Sequence, residues 1–228
     1  MALADSELMR QQLLLDGWCV IPSALTATPK ELLAGLGTLA RLHPTRACHQ
    51  DLRPYDKNSA PSGSMSATIG TDAQPMHTDG AYYHLPPHYI ALQCLEPGEA
   101  YCPTHVWALD LARLGRESAA ILTRPDWVAR GGGFAPFYCP ILEKQGGIMR
   151  IRFDPLCMHS ALIASHALEE LQKTLERCSQ KVEIEWKWGS FLIVDNWRCL
   201  HARGDGAARA PARRLRRWMI GASDGLVA

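Results

Sequence analysis

From Ser64 onward the chain is a succession of short β-rich segments, SMSATIG, HYIALQCL, THVWAL, IMRIRF, KVEIEW, SFLIVDN and LRRWMIG. Only two stretches of helical pattern interrupt them, near 108–123 and 160–178, and the second is amphipathic. Many short strands with only two helical stretches among them do not make the regular strand–helix alternation of a parallel α/β sheet. They point to an antiparallel sandwich or jelly roll, mainly β with peripheral helices. Ahead of Ser64, residues 5–15 and 28–42 read as helices, the latter opening on a Thr cap with Pro29 in its first turn. GWCVIPSAL between them reads as a strand, and 43–64, rich in Pro, Ser, Asp and Asn, reads as a long loop. The 228 residues suit one domain over 1–228, with a helical and strand lead-in about 1–63 and a jelly-roll core about 64–222.

Composition narrows the functional classes. Apolar residues make up 47% and charged residues 21%, which excludes disorder over most of the chain. No apolar run reaches about 18 residues, and MALADSELMR lacks the basic and apolar regions of a secretory signal. Eight scattered cysteines form no CxxC pair and read as reduced, mostly buried thiols of a cytoplasmic protein. A net charge of +1 gives no argument for nucleic acid or membrane partners. The charge is uneven, however: seven arginines lie between Arg198 and Arg217 against one acid, Asp205.

His77-Thr78-Asp79 is an HxD. In an extended segment the side chains at i and i+2 share a face and can bind one metal. In a chain with nine histidines about one HxD or HxE arises by chance, and His49-Gln50-Asp51 is a second instance. Context separates them. Gly80 and a strand follow His77 closely, whereas His49 sits in a polar loop. Far downstream, SFLIV ends in Asp195-Asn196, His201 follows a short link, and the basic strand RRLRRWMIG comes after it. Two histidines and one carboxylate on a β scaffold would make a facial triad, suited to non-haem Fe(II) oxygen chemistry.

HTDG, then GSFLIVDNWRCLHAR, then RRLRR resembles the Fe(II)/2-oxoglutarate-dependent dioxygenases of the taurine dioxygenase and clavaminate synthase-like superfamily, over roughly 64–222. The resemblance implies a double-stranded β-helix with His77, Asp79 and His201 as iron ligands and catalytic centre. It implies 2-oxoglutarate as cosubstrate, held by Thr104 and by an arginine after the second histidine. The family's Gly-Gly pair before that threonine is here replaced within Ala100-Tyr101-Cys102-Pro103. Strand alternation puts residues 213, 215 and 217 on one face. The family pattern R-x-x-x-R then assigns Arg213 to the cosubstrate and Arg217 to a substrate anion or a supporting role, with Arg214 as the alternative if a bulge shifts the register.

The activity implied is oxidation, chiefly hydroxylation, of an unactivated C–H. O2 is consumed, succinate and CO2 are released, and ascorbate is a supportive reductant. Asp79 argues against halogenation, which related enzymes carry out with a small residue at that place. An inward arginine fits a small anionic or zwitterionic substrate, such as an amino acid or derivative. His201 lies only 122 positions after Asp79, which implies an open pocket able to admit a carrier-bound substrate. A catalytically silent jelly roll that binds a ligand or partner is the alternative. A zinc hydrolase on the same three residues lacks an evident base and leaves the arginine strand unexplained.

Tyr82, Tyr83 and His84 either line the substrate pocket or pack a hairpin. Arg152 and Asp154 read as a structural ion pair, Trp197 and Trp218 as core, and Gly131-Gly132-Gly133 with Phe134 as a flexible lid or loop.

Overall fold

The computed structural model describes residues 2–22, 29–39, 48–145, 148–160 and 165–221. Its strands are β1 Trp18–Ile21, β2 Thr38–Leu39, β3 His49–Leu52, β4 Tyr89–Glu96, β5 Thr104–Leu109, β6 Trp127–Gly131, β7 Phe134–Cys139, β8 Leu142–Gln145, β9 Ile148–Ile151, β10 Met158–His159, β11 Ser179–Ile184, β12 Phe191–Asp195, β13 Cys199–Arg203 and β14 Arg214–Gly221. The helices are α1 Ala2–Asp16, α2 Pro29–Ala34, α3 Met65–Ile69, α4 Arg116–Leu122 and α5 Ser165–Arg177.

Two antiparallel sheets face each other. The larger runs β1-β12-β4-β14-β2, with β3 also on β14; the smaller runs β11-β5-β13. Alternation along the strands sorts the apolar side chains. Ile90, Leu92, Cys94, Leu192, Val194, Leu215 and Met219 of the large sheet meet Val106, Ile184 and Cys199 of the small one in a shared core. The opposite residues of the large sheet, Ala91, Phe191, Ile193, Trp218 and Ile220, are covered by Met9 and Leu13 of α1 and Leu32 and Leu33 of α2. The outer face of the small sheet, with Trp107, Leu200 and Ala202, packs against the β6–β7 hairpin, α4 and α5. Mainly β architecture with peripheral helices is the fold read from the sequence.

Several local expectations change. SMSATIG forms the short helix α3 rather than a strand. It is preceded by Ser64 in extended conformation and stopped by Gly70 at φ +70°, whose N–H donates to the Ser66 carbonyl. The supposed loop 43–64 carries β3, and strands β1, β2 and β3 make the lead-in part of the large sheet. The second expected helix is only α2, and the chain re-enters the sheet at β2. Residues 23–28, 40–47 and 161–164 of these expectations lie outside the described residues. Trp218 is buried as expected, whereas Trp197 is half-buried and stacks on His88 at 4.0 Å. All eight cysteines are free thiols.

Candidate metal and cosubstrate site

His201 lies in β13, and His77 joins it as an isolated antiparallel bridge. The His77 N–H donates to the His201 carbonyl (3.0 Å) and the His201 N–H to the His77 carbonyl (2.9 Å). This pairing sets the two imidazoles side by side, ring centroids 4.6 Å apart. Asp79 reaches the same space from two residues further on. Its Oδ1 lies 4.0 Å from His77 Nε2 and its Oδ2 3.8 Å from His201 Nε2. All three residues are buried, and their ligating atoms lie within 4.8 Å of one another, the one group of this kind among the described residues. His49 and Asp51 are not in it.

Two braces hold this segment. Asn196, fully buried past the end of β12, accepts from the Asp79 N–H (2.8 Å) and donates Nδ2 to the Asp79 and Pro87 carbonyls (3.0 and 2.9 Å). Thr78 is tied to Phe153 through N–H to carbonyl (2.6 Å), and its Oγ1 accepts from the Phe153 N–H (3.1 Å). The Asp79 backbone is therefore fixed before its side chain has any ligand, the kind of outer support a metal site needs. In the sequence Asn196 was only the end of a strand. Its signal was a polar side chain closing an all-apolar run.

The electrostatics suit a cation. Burial works against ionisation of Asp79, but the Arg217 guanidinium, through its charge and its hydrogen bond, leads the contributions that hold its pKa below the ordinary value. Burial, reinforced by His77, pushes His201 down to about 3. The imidazole is therefore neutral at ordinary pH, the form that binds a metal. His77 Nδ1 faces the Pro75 carbonyl at 2.9 Å, which turns Nε2 inward. Asp79 Oδ2 is buried with no hydrogen-bond partner. An orphaned carboxylate oxygen facing two imidazole nitrogens fits a two-histidine, one-carboxylate metal centre.

The arginine strand has its expected faces. Arg216 points away and forms a two-toothed pair with Asp51 (2.7 and 3.2 Å). Arg213, only 4% exposed, points inward, where its Nη2 donates to Thr104 Oγ1 at 3.3 Å. A bulge does occur, but between Arg214 and Leu215, and it leaves Arg213 inside. Thr104 Oγ1 also accepts from Trp186 Nε1 (3.0 Å). With two donors arriving, the hydroxyl keeps its own proton to give. Arg213 makes no ion pair among the described residues, and its Nε is buried without a partner. A buried guanidinium beside a hydroxyl donor is fitted to a carboxylate.

Arg217, read as an anchor for a substrate anion or as a supporting residue, sits beside Asp79. Its guanidinium is engaged by the protein: Nη1 donates to Asp79 Oδ1 (2.6 Å) and Nη2 to Gln50 Oε1 (2.6 Å). Gln50 belongs to the HQD segment that the sequence set aside, and β3 brings it opposite Arg217. Tyr82 and Tyr83, rings 4.7 Å apart, follow Asp79 directly, and Tyr82 is close enough to feel the charges of Arg217 and Asp79. Arg152 forms no ion pair with Asp154. It donates instead to the carbonyls of Ala81, Tyr83 and His84, while Asp154 accepts from the Leu156 N–H. The triple glycine is the tight turn of the β6–β7 hairpin.

The sequence model of the taurine catabolism dioxygenase TauD, TfdA family matches residues 153–222, which hold His201, Arg213 and Arg217. The resemblance to the Fe(II)/2-oxoglutarate-dependent dioxygenases of that superfamily holds. Among individual proteins, an L-lysine 3-hydroxylase of Catenulispora acidiphila is 28% identical over 187 residues, covering 72% of this chain and 50% of that protein. The chain thus spans about half the length of this curated relative. An asparagine oxygenase solved with Fe(II), 2S,3S-3-hydroxyasparagine and succinate superposes with a TM-score of 0.72 at 20% identity, covering 95% of this chain and 78% of the other. The non-heme iron oxygenase OrfP with Fe and alpha-ketoglutaric acid gives 0.70 at 20% identity, covering 97% and 80%. The fold is the one these oxygenases share.

Proposed function

We propose that this chain is an Fe(II)- and 2-oxoglutarate-dependent oxygenase that hydroxylates an unactivated carbon of a small zwitterionic substrate, an amino acid or a derivative of one, with release of succinate and CO2. The carrying observations are the buried group His77, Asp79 and His201 and the uncompensated Arg213–Thr104 pair, with Thr104 two residues along β5 from Val106, the register partner of His201. The amino-acid class rests on the relatives, one named for lysine and one for asparagine.

His77 Nε2, Asp79 Oδ2 and His201 Nε2 would hold the metal, leaving adjacent positions open for cosubstrate and oxygen. Bound iron with 2-oxoglutarate supplies the oxygen activation. The chain's own part is positioning. Arg213 and the Thr104 hydroxyl grip the distal carboxylate of 2-oxoglutarate, and Asn196 and Thr78 keep Asp79 rigid. Tyr82 and Tyr83 border the substrate. The reading of Arg217 as a free anion binder loses its first premise, since the guanidinium already serves Asp79 and Gln50. We place it primarily as the partner that orients Asp79, with its unpartnered Nε as the remaining donor toward a substrate carboxylate. The free thiols support a cytoplasmic setting, and the short span from Asp79 to His201 supports a pocket open to a carrier-bound substrate. No helix among the described residues is long and apolar enough to cross a membrane.

The test is incubation with Fe(II), ascorbate and 2-oxoglutarate, with and without a panel of amino acids, small acids and carrier-bound acyl groups. Succinate release stimulated by one of these, with a hydroxylated product by mass, supports the proposal. Binding of metal and 2-oxoglutarate without any succinate would sink it and leave a silent binding protein.

A further inference from the structure

The residue after β9 is Arg152, 2% exposed and among the largest fully buried side chains. Among the described residues it has no ion-pair partner. Its Nη1 donates to the carbonyls of Ala81 (2.7 Å) and Tyr83, and its Nη2 to that of His84 (2.8 Å). The guanidinium also lies over the Phe137 ring, 5.2 Å from its centroid. Burying a cation against neutral partners is costly, and an apolar side chain would fill the volume more cheaply. What the charge secures is a segment with no regular structure: three carbonyls of the four residues after Gly80 converge on one fork.

That segment meets the β6–β7 hairpin through aromatic contacts. Phe134, 49% exposed, stacks on Tyr82 (6.4 Å, 22°) and lies edge-on to Tyr83 (5.3 Å, 70°). His84 stacks on Phe137 (4.3 Å, 27°). The hairpin tip lies flush with the Tyr82 ring: a Cβ on Gly132, where φ is +60°, would come within 2.5 Å of it. The Tyr83 ring in turn lies against Gly80, the residue after Asp79, where a Cβ would come within 2.6 Å of it.

We propose that the Ala81–His84 loop and the β6–β7 hairpin form one aromatic wall at the mouth of the site, that Phe134 shares in substrate selection with Tyr82 and Tyr83, and that Arg152 is the positioning residue that sets this wall against the triad. The substrate part of this claim rests on the oxygenase reading; the mechanical part does not. The ring faces suit an aliphatic or cationic part of the substrate.

Hydrogen–deuterium exchange on the full chain tests the mechanical part. In Arg152→Met, peptides covering residues 80–85 should exchange at least about tenfold faster, while peptides in β4, β12 and β14 stay as in the parent. Arg152→Lys should recover only part of the protection, because an ammonium lacks the planar fork. Unchanged exchange at 80–85, or a rise shared by the whole chain, would overturn the positioning role. Should Arg152→Met fail to fold, Gly132→Ala disturbs the same wall from the other side. Exchange should then rise in both 80–85 and 131–137, and a rise in the hairpin alone would show that the two are separate. In turnover, Arg152→Lys should raise KM for the stimulating substrate more than it lowers kcat, and Phe134→Ala should change the ranking of amino acids that stimulate succinate release. An unchanged ranking would remove Phe134 from substrate selection. Local exchange changes in a protein that binds metal and 2-oxoglutarate but releases no succinate with any of the panel would keep the wall and sink the oxygenase.

Discussion

The two ends of the site differ in how their charge is compensated. At the triad end, Asp79 is answered within the chain by Arg217, and Gln50 holds Arg217 from the other side. At the far end, Arg213 is just as deeply placed, yet it meets only a hydroxyl and, 6.0 Å away, the ring of Trp186. The two arginines are four residues apart, Arg217 within β14 and Arg213 immediately before it. What separates them is the partner that another element delivers. A compensated charge orients its neighbour, whereas an uncompensated buried charge is held in readiness for a ligand.

The largest effect should come from breaking the triad itself. His77→Ala or His201→Ala should abolish 2-oxoglutarate turnover and Fe(II) binding while the circular dichroism spectrum persists, whereas His49→Ala should change little. Loss of iron in His49→Ala with retention in His77→Ala would invert the motif assignment. Next comes the uncompensated end. Arg213→Ala should raise the apparent constant for 2-oxoglutarate at least ~30-fold, since truncating one partner of a buried charged pair costs roughly 2–5 kcal/mol. A smaller effect than that of Arg214→Ala would mean that the strand faces have been misread.

Arg217→Gln probes the compensated end and should act on the metal before the cosubstrate. Fe(II) affinity, measured anaerobically by calorimetry, should fall about tenfold, typical of losing an outer partner of a ligand. If only the substrate constant moved, Arg217 would be a substrate anchor and the contrast between the two arginines would weaken.

Acid should sharpen the same contrast in the metal-free protein. An unfolded chain takes up a proton at His201 near pH 6.5, whereas the folded one resists until about 3. Between these values the unfolded state binds more protons, so Tm should fall as pH is lowered from about 6.5. Asp79, with its folded pKa below the ordinary 3.8, adds a further loss beneath that value. His201→Gln should flatten the upper part of the profile, and an unchanged slope would show that His201 is not the group responsible. The smallest effect should be that of Arg214→Ala, within about threefold of the parent for 2-oxoglutarate. Its side chain faces a surface groove with Arg53 and Glu96 rather than the site.

Much of this was legible in the residues alone. Period-two alternation is a local property, so the inward faces of β4, β12 and β14, and with them Arg213 and Arg217, follow from the chain itself. So do the pairing of His77 with Asp79 by spacing and the choice of His201 by its place after an all-apolar strand. The tertiary structure alone decided the partners. Asn196 meets Asp79 across 117 positions, Gln50 meets Arg217 across 167, and Arg152 reaches Ala81 across 71. Such contacts depend on which strand edges are already filled and which carbonyls a loop leaves bare. The same long-range pairing turned a polar loop into β3, on the edge of β14. Local sequence carries the direction in which a side chain points. What it meets there is settled by burial and hydrogen-bond satisfaction summed over the whole chain, and that sum exists only once the sheets have closed.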